Sequence, residues 1–107
     1  MIDLIKIMES LISNHLPQIK LFFKKYDVKE AYLFGSAAKN NLKEDSDIDF
    51  LVNFSNKTDF ERYGENYFNL LYELQDLLNR DVELVAEETL SNPYLIESIN
   101  ESKIQLI

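Results

Sequence analysis

Gly35 and Ser36 stand ten residues ahead of Asp47, Ile48 and Asp49, a spacing that joins a phosphate-gripping turn to two carboxylates able to hold a divalent metal. Four fixed residues at fixed spacing arise by chance in a chain of this length with a probability on the order of one in a thousand, taking each type at roughly a twentieth of average composition. A turn at Gly35-Ser36, with helix N-terminal amides behind it, presents backbone donors, a hydroxyl and a partial positive charge to an anion, and suits the outer phosphates of a nucleotide. Asp47 and Asp49, two apart on a strand, project from one face with Cα atoms roughly 6.5 Å apart, so both reach a shared Mg²⁺. Two metals about 3.5 to 4 Å apart usually need a third carboxylate for in-line displacement. Glu83 is the candidate, on the non-core face of a strand expected beside that of the aspartates, and Asp81 on the same face is the runner-up. Lys39, Lys43, Lys57 and Arg62 are candidate triphosphate contacts, weighed against the rule that a surface lysine is usually only solvated.

The elements that must position these residues follow from periodicity. Leu4, Ile5, Met8, Leu11 and Ile12 share one face of a helix over 3–14, and Pro17 breaks the chain and fits the first turn of a second helix carrying Ile19, Phe22, Phe23 and Tyr26. The apolar, aromatic run 30–34 predicts a buried strand ending at Gly35, after which Ser36 is placed to cap a short helix from Ala37. From 47 to 54 the chain alternates, with Ile48, Phe50, Val52 and Phe54 on a core face and Asp47, Asp49 and Asn53 on a working face. Thr58 and Glu61 have capping-box spacing before a long helix bearing Phe60, Tyr63, Tyr67, Leu70, Leu71, Leu74, Leu77 and Leu78. Gly64 within it costs about 1 kcal/mol against Ala, so a later start is also open. A third strand is expected over 81–85, a final helix after Asn92-Pro93, and a short strand within 103–107.

The chain has 107 residues, enough for one domain over 1–107 with a single core and little room for a separate substrate domain. Nineteen acidic against 11 basic residues give a net charge of -8, which disfavours a long nucleic acid as partner, since phosphate backbones are gripped by clustered Lys and Arg. There is no cysteine, which removes disulfides, thiolate nucleophiles and Cys-ligated zinc and fits a reducing compartment. Asp3 stands where a signal peptide wants positive charge, and no apolar run approaches the 18 or so residues of a membrane span. The expectation is a soluble, cytoplasmic protein with no membrane contact.

The run YLFGSAAKNNLKEDSDIDFLV, the later RDVELV and, more loosely, the last helix resemble the DNA polymerase β-like nucleotidyltransferases. The closest likeness is to their smallest branch, the minimal nucleotidyltransferases (MNT) paired as antitoxins with HEPN-domain toxins. The resemblance covers most of the chain from Ala31 onward and implies an α/β (α+β) fold, a small mixed sheet flanked by helices. It implies that Gly35 and Ser36 bind the β- and γ-phosphates of ATP, with Lys39 where the family commonly has Arg. Asp47 and Asp49 would hold Mg²⁺, two ions being expected, and Glu83 would complete the metal site and help deprotonate the acceptor. The implied reaction is attack of a tyrosine hydroxyl of the cognate HEPN ribonuclease on the α-phosphorus of ATP, with pyrophosphate leaving, in a hetero-oligomer with that toxin. Two departures stand out: Lys39 keeps the charge of Arg but loses its bidentate fork, and Glu83 is one methylene longer than the usual Asp. An antitoxin that acts by contact alone and a small-molecule (antibiotic-type) nucleotidyltransferase are the alternatives, the second normally needing an extra domain for its acceptor.

The remaining motifs have plainer readings. Asp45, Asp47 and Asp49 fail as a calcium loop because its sixth position is Phe50 and its twelfth Asn56. His15, the one histidine, has no second ligand at metal spacing. The aromatics Phe60, Tyr63 and Tyr67 read as core or partner surface more readily than as a platform for bases.

Overall fold

Proline lacks a backbone N–H and sits most easily in the first turn of a helix, where that donor has no partner. Pro17 does so in α1 (Leu16–Lys25), whose Lys24 and Lys25 fall in the last turn, where cations complement the helix dipole. The computed structural model describes residues 11–39, 43, 45–55 and 59–107. Leu11 and Ile12 are helical ahead of α1, whereas Leu4, Ile5 and Met8 of the expected first helix lie outside the described residues. After α1, Asp27 adopts a left-handed φ of 62° and turns the chain into β1 (Val28–Phe34), two residues earlier than the aromatic run predicts. Gly35–Ala38 forms a single helical turn, α2, followed by β2 (Ile48–Phe54).

The long helix α3 (Phe60–Leu78) is capped by Asp59, whose side chain accepts from the Arg62 N–H at 2.8 Å. Thr58, the expected cap, lies outside the described residues. Gly64 does not delay the start: the helix begins at Phe60, and its first turn is held by the Asp59 cap and by Tyr63 packing on Phe54. Asn79 ends α3 at φ 51°, the left-handed cap that Asn tolerates better than most. Strand β3 (Val82–Ala86) and a 3₁₀ turn (Glu87–Thr89) follow. Asn92 caps α4 (Pro93–Ser102) by accepting from the N–H groups of Tyr94 and Leu95 at 3.0 and 3.4 Å, and β4 (Ile104–Gln105) completes the order.

The strands lie in the order β3-β2-β1-β4. β1 pairs antiparallel with β2 and with β4, and β2 pairs parallel with β3, so α3 is the crossover that a parallel pair requires. Alternation decides which way β2 faces. Ile48, Phe50, Val52 and Phe54 are buried against α1 and α3, with Phe23 meeting Phe50 edge-to-face at 6.0 Å and Tyr63 meeting Phe54 at 4.9 Å. Leu51 is also buried, on the opposite face, where Leu90, Ile96 and Ile99 cover it. Asp49 shares that second face but lies beyond this cover and stays half-buried.

β3 is an edge strand, and an open edge invites unwanted pairing. Two side chains of α3 blunt it: Gln75 accepts from the Val82 N–H at 3.4 Å, and the Tyr67 hydroxyl donates to the Leu84 carbonyl. Among the described residues no helix is long and apolar enough to cross a membrane. Because Phe23 is fully buried and Phe60 is 94% exposed, Phe23→Ala should cost about 3–5 kcal/mol in urea unfolding while Phe60→Ala stays within about 0.5 kcal/mol.

Candidate active site

β1 runs into α2 through Gly35, whose φ of 68° is one that L side chains rarely adopt. The preceding residue, Phe34, pairs across the ladder with Asp49, so the Asp49 carboxylate rises directly against the turn. A Cβ built on Gly35 would lie 2.0 Å from Asp49 Oδ2. Glycine is therefore required twice over, by backbone conformation and by the approach of the carboxylate. On the other side of β2, Asp49 is in register with Glu83 of β3, and alternation puts both on the face away from the α1 and α3 core. Three strands thus bring Gly35, Asp49 and Glu83 to one point. Asp47, the expected first residue of the strand, lies just ahead of β2 and is exposed, the strand beginning one residue later at Ile48.

The electrostatics follow from this crowding. Burial, a hydrogen bond with Glu83 and the charges of Glu83 and Asp47, in that order, push the Asp49 carboxyl up to about 7. Like charges this close resist joint ionisation, and the site is short of positive charge. Tyr67 lies beside it, its phenol pushed up by burial and by the Glu83 charge. Among the described residues, no three His, Cys, Asp or Glu side chains close into a ready-made cation cage. The donor set nonetheless fits a hard cation: Asp49 lies in register beside Glu83 and retains a proton that a cation would displace, and Mg²⁺ needs only one or two carboxylates when phosphate oxygens supply the rest.

The other candidates fall as follows. Ser36 lies inside the first turn of α2 and does not cap it; Phe34 holds the cap position and makes no side-chain cap bond. The expected capping fails because the helix begins at Gly35, two residues earlier than the expected start at Ala37. Lys39 is exposed and ends the same turn, its N–H donating to the Gly35 carbonyl at 3.1 Å. Asp81 is one residue ahead of β3, and its carbonyl accepts from the Ile48 N–H at 3.0 Å, so Glu83 rather than Asp81 is the neighbour of Asp49. Arg62 lies 3.6 Å from Asp27, at the start of β1, about 20 Å from Gly35 at strand rise, so it is no triphosphate contact. Lys43 gives its carbonyl to the Arg80 guanidinium, and Lys57 lies outside the described residues. His15 borders a separate hollow with Pro17, Phe22 and Leu77. The packing of Gly35 on Asp49 was not readable, since no local pattern signals that contact.

With this geometry in view, comparison with known proteins is informative. Residues 17–107 match the family described as Polymerase beta, Nucleotidyltransferase. A Methanocaldococcus jannaschii protein named as a candidate protein adenylyltransferase is 41% identical over 85 residues, 79% of this chain and 83% of that protein. A solved candidate minimal nucleotidyltransferase superposes with a TM-score of 0.68 at 26% identity, covering 91% of this chain and 93% of the other. An MNT antitoxin, solved in complex with a tri-AMPylated Shewanella oneidensis HEPN toxin, shares the fold at a TM-score of 0.63 and 23% identity, over 89% and 71% of the two chains.

Two outcomes follow from the geometry. Gly35→Ala combines about 1–2 kcal/mol of left-handed backbone cost with displacement of Asp49, and should lower the unfolding midpoint and abolish binding of a fluorescent ATP analogue. The folded Asp49 keeps its proton between its ordinary value of 3.8 and about 7, where the unfolded chain has lost it, so the metal-free protein should lose stability as pH rises through that window. Asp49→Asn should flatten that slope and be more stable at pH 8 by about 1 kcal/mol, solvent screening of the half-exposed group having been discounted; an unchanged slope in pH-resolved urea unfolding would contradict the assignment.

Proposed function

The chain belongs to the polymerase β nucleotidyltransferase family, and we propose that it transfers AMP from ATP to a tyrosine hydroxyl of a HEPN-domain ribonuclease toxin, acting in the cytoplasm as that toxin's antitoxin. The observation that carries this reading is the common register that sets Asp49 between Gly35 and Glu83. Support for the acceptor comes from the adenylyltransferase name of the archaeal relative and from the AMP-modified toxin in the complex of the MNT antitoxin. The net charge of -8 also suits a protein acceptor better than a nucleic acid.

In this reading the backbone amides of the Gly35-Ser36 turn and the Ser36 hydroxyl bind the outer phosphates, and Lys39 at the end of the turn adds positive charge. Asp47, Asp49 and Glu83 are the residues that would hold Mg²⁺. When bound, Mg²⁺ would stabilise the charge on the attacking and leaving oxygens. The acceptor oxygen forms its bond to the α-phosphorus while the bond to the β-phosphate oxygen breaks and pyrophosphate departs. Glu83, at the solvent-facing edge of the site, takes the hydroxyl proton. Its extra methylene lengthens the reach to that oxygen.

One observation favours a second reading, a binding antitoxin that neutralises by contact alone: the exposed Lys39 stands where the family commonly has Arg and lacks its bidentate fork for phosphate. A single experiment separates the two. Incubated with Mg-ATP, the protein should raise the mass of the HEPN-domain protein of the same genome by about 329 Da per AMP added, and an Asp47→Ala, Asp49→Ala double variant should lose transfer by about a thousandfold or more. Full neutralisation of the toxin by that double variant, with no mass change, would establish contact alone.

A further inference from the structure

Gly64 sits in the interior of α3, where glycine costs about 1 kcal/mol relative to alanine. Close packing usually accounts for such a residue, yet a Cβ at Gly64 would meet nothing within 4 Å. Nothing in this chain requires the glycine. It forms a gap in a row of side chains spaced by four, Phe60, Gly64, Phe68 and Tyr72, whose three aromatics are 94%, 53% and 58% exposed. Large exposed apolar groups in a contiguous row are unusual on a surface that meets only water.

The gap opens onto a cleft of about 330 Å³ between α3 and the edge of β3, walled by Tyr63, Tyr67, Phe68, Leu84, Val85 and Thr89. The bond from the Tyr67 hydroxyl to the Leu84 carbonyl fixes its floor. Its rims are acidic: Glu61 and Glu65 are exposed on the helix side and Glu88 on the turn after β3, where the Tyr63 phenol is hydrogen-bonded to Glu88. Leu84, in the cleft wall, follows Glu83 along β3, so one strand edge carries both the cleft and a candidate site residue, on opposite faces of the sheet.

We propose that this cleft is where the acceptor protein docks, through an apolar or aromatic segment flanked by Lys or Arg. The apolar floor selects the segment's side chain and the acidic rims select its flanks. A second copy of this chain, carrying a net charge of -8, would be repelled by those rims. The inference rests on the adenylyl-transfer reading above for the identity of the partner, and it assigns that partner's contact surface, which the catalytic residues alone do not.

The test uses Gly64→Leu, which fills the gap with a good helix former and should leave the unfolding midpoint equal or higher. With the HEPN-domain protein as probe, calorimetric affinity should fall about tenfold or more, while binding of a fluorescent ATP analogue stays unchanged. A Glu61→Lys, Glu65→Lys, Glu88→Lys variant should slow association and flatten its salt dependence. Wild-type affinity in Gly64→Leu, or no binding of the toxin by the wild type, would overturn the proposal. So would a dimer of the wild-type chain alone that Gly64→Leu abolishes, which would assign the cleft to a second copy. The two readings fail separately: a toxin that binds in a Gly64-dependent way but gains no AMP removes the enzymatic reading and keeps the cleft, whereas transfer undiminished in Gly64→Leu removes the cleft and keeps the enzyme.

Discussion

The register of β2 between its two neighbours is the constraint on which the rest of the molecule depends. Side chains alternate along a strand, so a slip by one residue would carry Phe50 out of the core and drive Asp49 into it. Phe50 is fully buried and braced by Phe23, and Ile48 and Val52 flank it at the same depth. Burying each such side chain contributes about 2–3 kcal/mol, far more than crowded carboxylates can oppose. The core therefore holds Asp49 in place against electrostatic resistance. The same register serves both ladders, which is why a residue of the β1 turn and a residue of β3 reach the same carboxylate.

That arrangement stores unfavourable charge where a reaction needs it. In the absence of a cation, Asp49 is eased by retaining its proton and by its hydrogen bond with Glu83. The scarcity of basic groups around the point is as much a part of the design as the acids are. In the proposed reaction, metal and phosphate would bring opposite charges to the carboxylates and to the amides of the turn respectively. The blunted β3 edge belongs to the same economy of surfaces: with Gln75 and Tyr67 occupying backbone groups of β3, contact along that side is made through side chains in the cleft and less readily by adding a strand.

Much of this was legible in the sequence because it rests on short-range patterns. The alternation at 48–54, the proline-led helices at Pro17 and Pro93 and the leucine face of α3 each report local periodicity, and the mixed sheet flanked by helices agrees with the family resemblance. What was not legible is contact between distant segments. Ser36 was expected to cap α2 because its type suits a cap, but the positive φ of Gly35 starts the helix earlier. Arg62 looked available for phosphate, yet tertiary packing places it at the far end of β1 beside Asp27. Leu51 interrupts the polar face of β2 because α4 covers it, which no alternation along β2 alone could announce. Glu83 and Asp81 were indistinguishable by parity, and only the parallel pairing put Glu83 next to Asp49.

That parallel pairing has a consequence for how the protein comes into being. Asp49 and Glu83 are joined only after the whole of α3 has formed and crossed back over the sheet, and such distant pairings form late and slowly. The β1-α2-β2 segment carries the phosphate turn and both aspartates, and Glu83 joins them only when β3 docks. On the proposed reading, ligand binding is linked to global folding: a nucleotide at a hundred times its dissociation constant would add about 2.7 kcal/mol to the native state. The lifetime of the chain against proteolysis would then rise with the supply of nucleotide.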